Sequence, residues 1–214
     1  MKQLNRTNID IPTHPIRVMQ FGGGNFLRAF VGYMIDTYNK QADQDLGIAV
    51  VKVTPRGDYS QWKAQDGLYH VQTKGIQAGE LVNKTDLISS VSTIIHAYDE
   101  WETYIATAKN PDIKFIVSNT TESGLRTSEN DKLTDKPPES FPAKLTIWLY
   151  ERFKHFEGAA DATCTIIPCE LLIDNGHLLK SLIIETANSW KLSQAFLDWI
   201  ALNIFCNTLV DRIV

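Results

Sequence analysis

Ile16-Arg17-Val18-Met19-Gln20-Phe21-Gly22-Gly23-Gly24-Asn25-Phe26-Leu27-Arg28-Ala29-Phe30 is the stretch that decides the fold of this chain. A short apolar, β-prone run feeds three glycines, and an amphipathic helix begins within the next few residues. Glycines at such a junction let the backbone turn tightly and approach a pyrophosphate, whose charge sits against unpaired N–H groups and the positive end of the helix dipole. Gly22 and Gly24 supply the first two positions of the dinucleotide fingerprint; the third is Leu27, so the fingerprint is incomplete. The order strand, glycine turn, helix strengthens it. A glycine turn that only joins strand to helix stays open as the alternative. An ATPase-type phosphate loop needs Gly-Lys followed by Ser or Thr after this turn, and the sequence lacks it.

Outward from the glycines, Phe26, Leu27, Phe30, Val31, Met34, Ile35 and Tyr38 recur at helical spacing. They predict a face packed on a sheet, with Arg28, Gly32, Asp36 and Lys40 on the opposite face. A second strand is expected over residues 48–53. In NAD sites a carboxylate at the end of this strand bonds the ribose hydroxyls. Asp43 and Asp45 have the spacing but precede the strand, and its end reads Val53-Thr54-Pro55-Arg56, a hydroxyl and a cation. Arg56 tilts the choice towards the 2′-phosphate of NADP, while a surface arginine paired with Asp58 is the equal alternative. Residue chemistry alone leaves NAD and NADP open.

Further β-prone runs at 114–118 and 163–168 alternate with helical patterns at 98–108 and 143–156. The second of these helices is entered through Ser140-Phe141-Pro142, where proline suits a first helical turn. Residues 67–85, with a Gln77-Ala78-Gly79 turn, predict an inserted hairpin, and the polar stretch 127–140 reads as a loop. After Pro168 the pattern is helical through Val214, with Leu178, Leu179, Leu182 and Ile183 and then Phe196, Ile200 and Ile204 on apolar faces. The expected fold is α/β: a Rossmann-like, doubly wound, mainly parallel sheet with flanking helices and a small inserted hairpin. The apolar ending reads as a cut inside a larger protein that leaves an apolar patch around 196–214. A natural terminus docked on the core is the alternative.

The chain carries 21 Lys+Arg against 25 Asp+Glu with no basic stripe, which argues against a nucleic-acid partner. No run reaches the roughly 18 to 20 uninterrupted apolar residues of a membrane span, and the N-terminus lacks the apolar core of a signal peptide, so no membrane association and a cytoplasmic location are expected. Cys164, Cys169 and Cys206 are odd in number and lie in apolar surroundings, as reduced core thiols do. His14, His70, His96, His155 and His177 do not pair at ligand spacing, and no metal site is expected.

The segment Gln20 to Phe30 resembles the N-terminal signature of the polyol-specific long-chain dehydrogenases, the family containing mannitol dehydrogenase and the hexuronate reductases. Matches follow in order along the chain: Gln65-Asp66-Gly67-Leu68-Tyr69, Ser118-Asn119-Thr120-Thr121-Glu122-Ser123-Gly124, Ile167-Pro168-Cys169-Glu170-Leu171 with Asn175-Gly176, and Asn207-Thr208-Leu209-Val210-Asp211-Arg212-Ile213. Pro142-Ala143-Lys144-Leu145-Thr146 and Glu151-Arg152-Phe153-Lys154-His155-Phe156 most resemble the branch acting on altronate and tagaturonate. The resemblance implies an NAD-dependent, metal-independent interconversion of D-altronate and D-tagaturonate in hexuronate catabolism. It places Gly22, Gly23, Gly24, Asn25, Phe26 and Arg28 around the pyrophosphate. Ser118, Asn119, Thr120 and Glu122 would lie beside the nicotinamide, and Asn175 and Asp211 on the side of the sugar-acid substrate. Oligomeric state is left open.

Two departures matter. Where the mannitol branch has Cys-Asp-Asn-Leu this chain has Cys169-Glu170-Leu171-Leu172, so an apolar side chain replaces the amide that helps polarise the carbonyl. The family's catalytic lysine, with its asparagine and histidine helpers, comes from a helical C-terminal domain beyond Val214. Hydride transfer needs a general acid to protonate the developing alkoxide. Residues 1–214, taken as a truncated N-terminal NAD-binding domain, are therefore expected to bind cofactor but to turn over slowly or not at all. The competing readings are a mannonate- or mannitol-type polyol dehydrogenase domain, a non-catalytic dinucleotide-binding module, and a methyltransferase. Single residues keep plainer alternatives: Glu122 as a turn cap, Asp174 and Asn175 as caps of the next helix, and Asp211 with Arg212 as a surface pair.

Overall fold

The computed structural model describes residues 3–120, 124–210 and 214. Its centre is a six-stranded sheet built from β1 (Ile16–Phe21), β2 (Gly47–Lys52), β5 (Val91–His96), β6 (Phe115–Ser118), β7 (Thr165–Pro168) and β8 (Ile204–Phe205). The order is β5-β2-β1-β6-β7-β8, and every neighbouring pair is parallel. Alternation along the strands divides the apolar side chains between two cores. Met19, Phe21, Ala49, Val51, Ile116 and Ile166 face one side, and Val18, Ile48, Val50 and Val117 the other. A sheet buried on both faces needs near-continuous apolar strands, and β2 is buried at all six positions.

Four helices cover the first face: α4 (Trp101–Ala106), α5 (Phe141–His155), α6 (Asn175–Ser189) and α7 (Gln194–Leu202). Ser140 caps α5, its hydroxyl accepting from the Ala143 N–H at 3.3 Å, with Pro142 in the first turn as expected. The opposite face is covered by α1 (Asn25–Leu27), a π-helical turn (Arg28–Gly32), α2 (Tyr33–Ala42), the short α3 (Ser60–Ala64) and the base of a hairpin. That hairpin, β3 (Tyr69–Gln77) with β4 (Glu80–Ile88), is closed by Ala78 and Gly79, both at positive φ, the two-residue turn that matches strand twist.

The predicted packing face of the helix after the glycines is corrected. Gly32, Asp36 and Asn39 are buried, while Met34 and Tyr38 are 53% and 50% exposed. The π turn accounts for this, because one extra residue rotates everything beyond it by about 100°. Its carbonyls find outside donors: the Tyr69 hydroxyl donates to Arg28 O at 2.8 Å and Ser90 Oγ to Gly32 O at 2.9 Å. Asp36 then accepts from the Ser89 N–H at 2.7 Å and from Lys40 at 2.5 Å, which ties α2 to the entry of β5.

A second correction concerns the C-terminal part, which is not helical throughout. After α7 the chain forms β8, pairing Ile204 with Thr165 and Phe205 with Ile166. Asn203 ends the helix with its side chain turned inward, accepting from the Cys164 N–H at 2.8 Å and donating back to Trp199 O at 3.0 Å. Phe196, Trp199 and Ile200 are buried, so among the described residues only part of the expected patch is exposed: Leu202 at 56%, Ile204 at 60%, Leu209 at 95% and Val214 at 53%. The sequence reading also missed α3 and β5.

Candidate functional site

With the hairpin set aside, the sheet order is the 3-2-1-4-5-6 pattern of doubly wound folds, which reverses direction between β1 and β6. Loops leaving the carboxyl ends of those two strands must diverge to opposite faces, and a crevice opens between them. Here that crevice is a cleft of about 600 Å³ lined by Gly22, Gly23, Gly24, Val53, Thr54, Tyr59, Asn119, Thr120 and a wall from Gly124 to Phe141.

Gly22 sits at φ +102°, and a Cβ there would lie 3.2 Å from the carbonyl oxygen of Asn119. A Cβ on Gly23 would lie 2.8 Å from both Tyr59 and Trp62, so this glycine accommodates an aromatic pad beneath the turn. Gly24, by contrast, is exposed, and among the described residues nothing lies within 4 Å of a would-be Cβ, so none of them requires a glycine here by strain or packing. Space kept open above a helix N-terminus is what a pyrophosphate requires. The Arg28 guanidinium lies 5.1 Å from the Trp62 ring centre and donates to Asn25 Oδ1 at 2.9 Å. Among the described residues its Nε is buried without a partner. These features fit a dinucleotide phosphate group.

The sequence-predicted residues do not all meet in one place. Gly22, Gly23, Gly24, Thr54, Asn119 and Thr120 come together on the cleft wall. Asn25 and Arg28 line a neighbouring groove against Tyr69 and β3, and Phe26 packs on Phe30 with ring centres 5.2 Å apart. Arg56 is exposed beyond the β2 end, its carbonyl accepting from Thr54 Oγ1 at 3.0 Å. Asp58, its suggested partner, uses both oxygens on Ser60, and those hydrogen bonds hold its carboxyl below the usual range. Ser118 and Asn175 are buried behind the wall. Asn175 donates to Glu170 O at 2.9 Å and accepts from the Thr208 N–H at 2.9 Å, which pins the loops after β7 and β8 together. Its neighbour Asp174 is the N-cap residue of α6 without a side-chain capping bond. Glu122 and Asp211 lie outside the described residues.

The wall that sequence reasoning missed belongs to the stretch taken only as a loop. Asp131 organises it, accepting from the Glu139 N–H at 2.5 Å, the Ser140 N–H at 3.1 Å and the Ser140 hydroxyl at 2.5 Å. Lys144, fully buried on α5, donates to Glu139 O at 2.6 Å with its ammonium 5.1 Å from the Tyr98 ring centre. Burial pushes this lysine down to about 8, against the opposing pull of Asp131 and Glu139. The available signal was position: a long polar connection leaving the carboxyl end of a strand beside the switch point is where open α/β sheets bind ligands.

Cys164 and Cys169 are buried and Cys206 partly so, all three free, and burial pushes the Cys169 thiol up to about 12. Among the described residues no group of three His, Cys, Asp or Glu side chains could hold a metal ion, and no described helix is long and apolar enough to cross a membrane.

A parallel sheet of this order, with a glycine-lined crevice at its switch point, defines a nucleotide-binding domain of the Rossmann type. Residues 16–214 match the mannitol dehydrogenase Rossmann domain, and the chain belongs to that family. It is similar to the altronate oxidoreductase of Yersinia enterocolitica serotype O:8, 45% identical over 100% of this chain and 45% of that protein. A second relative, the altronate oxidoreductase of Pectobacterium carotovorum subsp. carotovorum, is 47% identical over 100% of this chain and 44% of its own length. The chain thus spans a little under half the length of these curated relatives. Among solved structures, the fold is shared with Pseudomonas fluorescens mannitol 2-dehydrogenase in ternary complex with NAD and D-mannitol (TM-score 0.76, 21% identity, 98% of this chain and 47% of that one). Substrate-free D-sorbitol dehydrogenase is similar at a TM-score of 0.75 and 20% identity, again with 98% of this chain and 47% of that one covered.

Proposed function

We propose that this chain is the NAD-binding part of an oxidoreductase that interconverts D-altronate and D-tagaturonate by hydride transfer at a secondary alcohol. The observation that carries the reading is the apposition, across the switch point, of the glycine turn and the Asn119–Thr120 segment at the end of β6. The name altronate oxidoreductase, borne by relatives at 45% and 47% identity, supports the choice of sugar acid.

Bound NAD supplies the site that accepts or returns the hydride. In this reading the backbone of Gly22 to Ala29 holds the pyrophosphate, with Arg28 on the polar side of the helix that follows. Thr54 and Arg56 lie towards the adenosine ribose. Asn119 and Thr120 wall the nicotinamide side, with Ser118 behind them and Glu122 following in the chain. Asn175 and Asp211 belong to the substrate side. Among its described residues the cleft lining offers no lysine or histidine. This supports assigning the proton-handling group to the portion of the relatives that this chain does not span, and slow or absent turnover to these residues alone.

Titration with NADH and NADPH, followed through quenching of the five tryptophans, tests the reading. Trp62, packed beneath Gly23, reports directly on the turn. Saturable quenching by NADH in preference to NADPH is the expected result. Binding of S-adenosylmethionine without NADH would select the methyltransferase instead. Assay of a full-length relative on altronate and mannonate separates the two sugar acids.

A further inference from the structure

The loop that forms the nicotinamide wall is held from behind by a buried carboxylate that does not itself reach the cleft. Glu170, the second residue after β7, is 1% exposed. Its Oε1 accepts from the Thr120 N–H at 2.9 Å and from Thr120 Oγ1 at 3.1 Å, and its Oε2 from Ser118 Oγ at 3.1 Å. The backbone of the same residue is tied down in turn. Asn175 donates to Glu170 O at 2.9 Å, and Asn119 donates to Cys169 O at 2.5 Å. Four of these hydrogen bonds, three of them on the Glu170 carboxylate, staple the end of β6 and its loop to the loop leaving β7.

In the doubly wound arrangement the adenosine half of a dinucleotide lies over the β2 side of the switch point and the nicotinamide half over the β6 side. Thr120 and Asn119 line the cleft on that side, and Asn119 O stands against Gly22. Glu170 bears directly on Thr120 and reaches the turn at Gly22 only through Asn119, so a change in where it places its carboxylate acts first on Thr120.

We infer that Glu170 is a positioning residue that sets the nicotinamide wall through Thr120, so that its side-chain length tunes recognition of the nicotinamide half of the cofactor. The inference rests on the dinucleotide reading above. A carboxylate on a one-carbon-shorter stem retracts from Thr120, whereas an isosteric amide keeps an oxygen for Thr120 and turns its NH2 to donate to the Ser118 hydroxyl oxygen.

The test compares NADH with ADP-ribose, which shares every part of NADH except the nicotinamide ring, on the 214-residue chain carrying E170D, E170Q or T120V. Far-ultraviolet circular dichroism and melting are recorded for each. The expected result is at least a tenfold loss of NADH affinity in E170D with ADP-ribose affinity changed less than about twofold. T120V loses a few-fold in the same selective sense, and E170Q stays within about threefold of the wild type for both ligands. A merely structural Glu170 lowers both affinities together with the melting temperature, and that outcome overturns the inference, as does an unchanged NADH to ADP-ribose ratio in E170D and T120V. If E170D does not fold, T120V decides by the same ratio. Wild-type protein that binds neither ligand overturns the dinucleotide reading itself, and wild-type protein that binds both equally removes the nicotinamide wall while leaving the phosphate turn.

Discussion

Gly22 and Asn119 meet backbone to backbone across the switch point: a Cβ on Gly22 would stand 3.2 Å from the Asn119 carbonyl oxygen, with φ at +102°. Gly22→Ala therefore combines a strained dihedral with a contact that only the β6 loop can relieve. A loss of about 1–3 kcal/mol is expected, read as a melting temperature lower by several degrees. NADH binding should weaken with it, because the relieving movement displaces the nicotinamide wall.

Gly24 gives the opposite combination. Its φ of −65° suits any residue, and no described residue lies within 4 Å of a Cβ there. Gly24→Ala should leave the melting temperature within the scatter of a neutral surface change, about 0.5 kcal/mol. Affinity for both NADH and ADP-ribose should fall, since the methyl occupies the pyrophosphate approach. Unchanged affinity would show that this glycine has no ligand to accommodate. Gly23→Ala, with Tyr59 and Trp62 at 2.8 Å, should lose stability first.

Lys144 makes stability depend on pH in a stated direction. Its folded value is lowered from 10.5 to about 8 by burial, so between those limits the unfolded chain binds more protons and stability rises with pH. At about 1.4 kcal/mol per pKa unit, the cost of holding the ammonium inside is roughly 3 kcal/mol below pH 8 and vanishes near pH 10.5. Asp131, Glu139 and the Tyr98 ring are the groups facing it. The stability difference between Lys144→Met and the wild type should thus move in favour of the wild type as pH rises from 7.5 to 10, measured by urea unfolding. A pH-independent difference would refute the assignment.

Arg152 is a structural counterpart with no exposed surface. Its guanidinium donates to Ala162 O at 2.6 Å, Ala108 O at 3.0 Å, Asn110 O at 2.8 Å and Ile113 O at 2.9 Å, joining α5 to the connections entering β6 and β7. Lysine has three donors on one atom and cannot span these carbonyls. Arg152→Lys should cost about 2–4 kcal/mol through unpaired buried carbonyls, visible as a lower urea midpoint. The NADH affinity of the folded fraction should stay unchanged, because the four carbonyls lie at the other end of the sheet from the glycine turn.

The strand cores at 16–21, 48–53, 114–118 and 163–168, the glycine turn, the Ala78-Gly79 hairpin and the proline in the first turn of α5 were all legible in the sequence, because each depends on local preference: β-prone runs, φ tolerance, a fixed φ at a helix start. So were Gly22, Gly24, Asn119 and Thr120 as cleft residues, through the glycine spacing and the family motif. What only the tertiary structure decided depends on partners far along the chain. The π turn that buries Asp36 rests on Tyr69 and Ser90, and β8 exists because Asn203 stops α7 beside the open edge of β7. The wall at 124–141 becomes part of the site only through Asp131 and Lys144. Glu170 looked like one member of a loop motif until folding set its carboxylate against Ser118 and Thr120, some 50 residues earlier in the chain. Periodicity reports which residues prefer water or the core; it carries no information on which distant carbonyl or hydroxyl a buried polar group will meet, and in this protein those meetings shape the site.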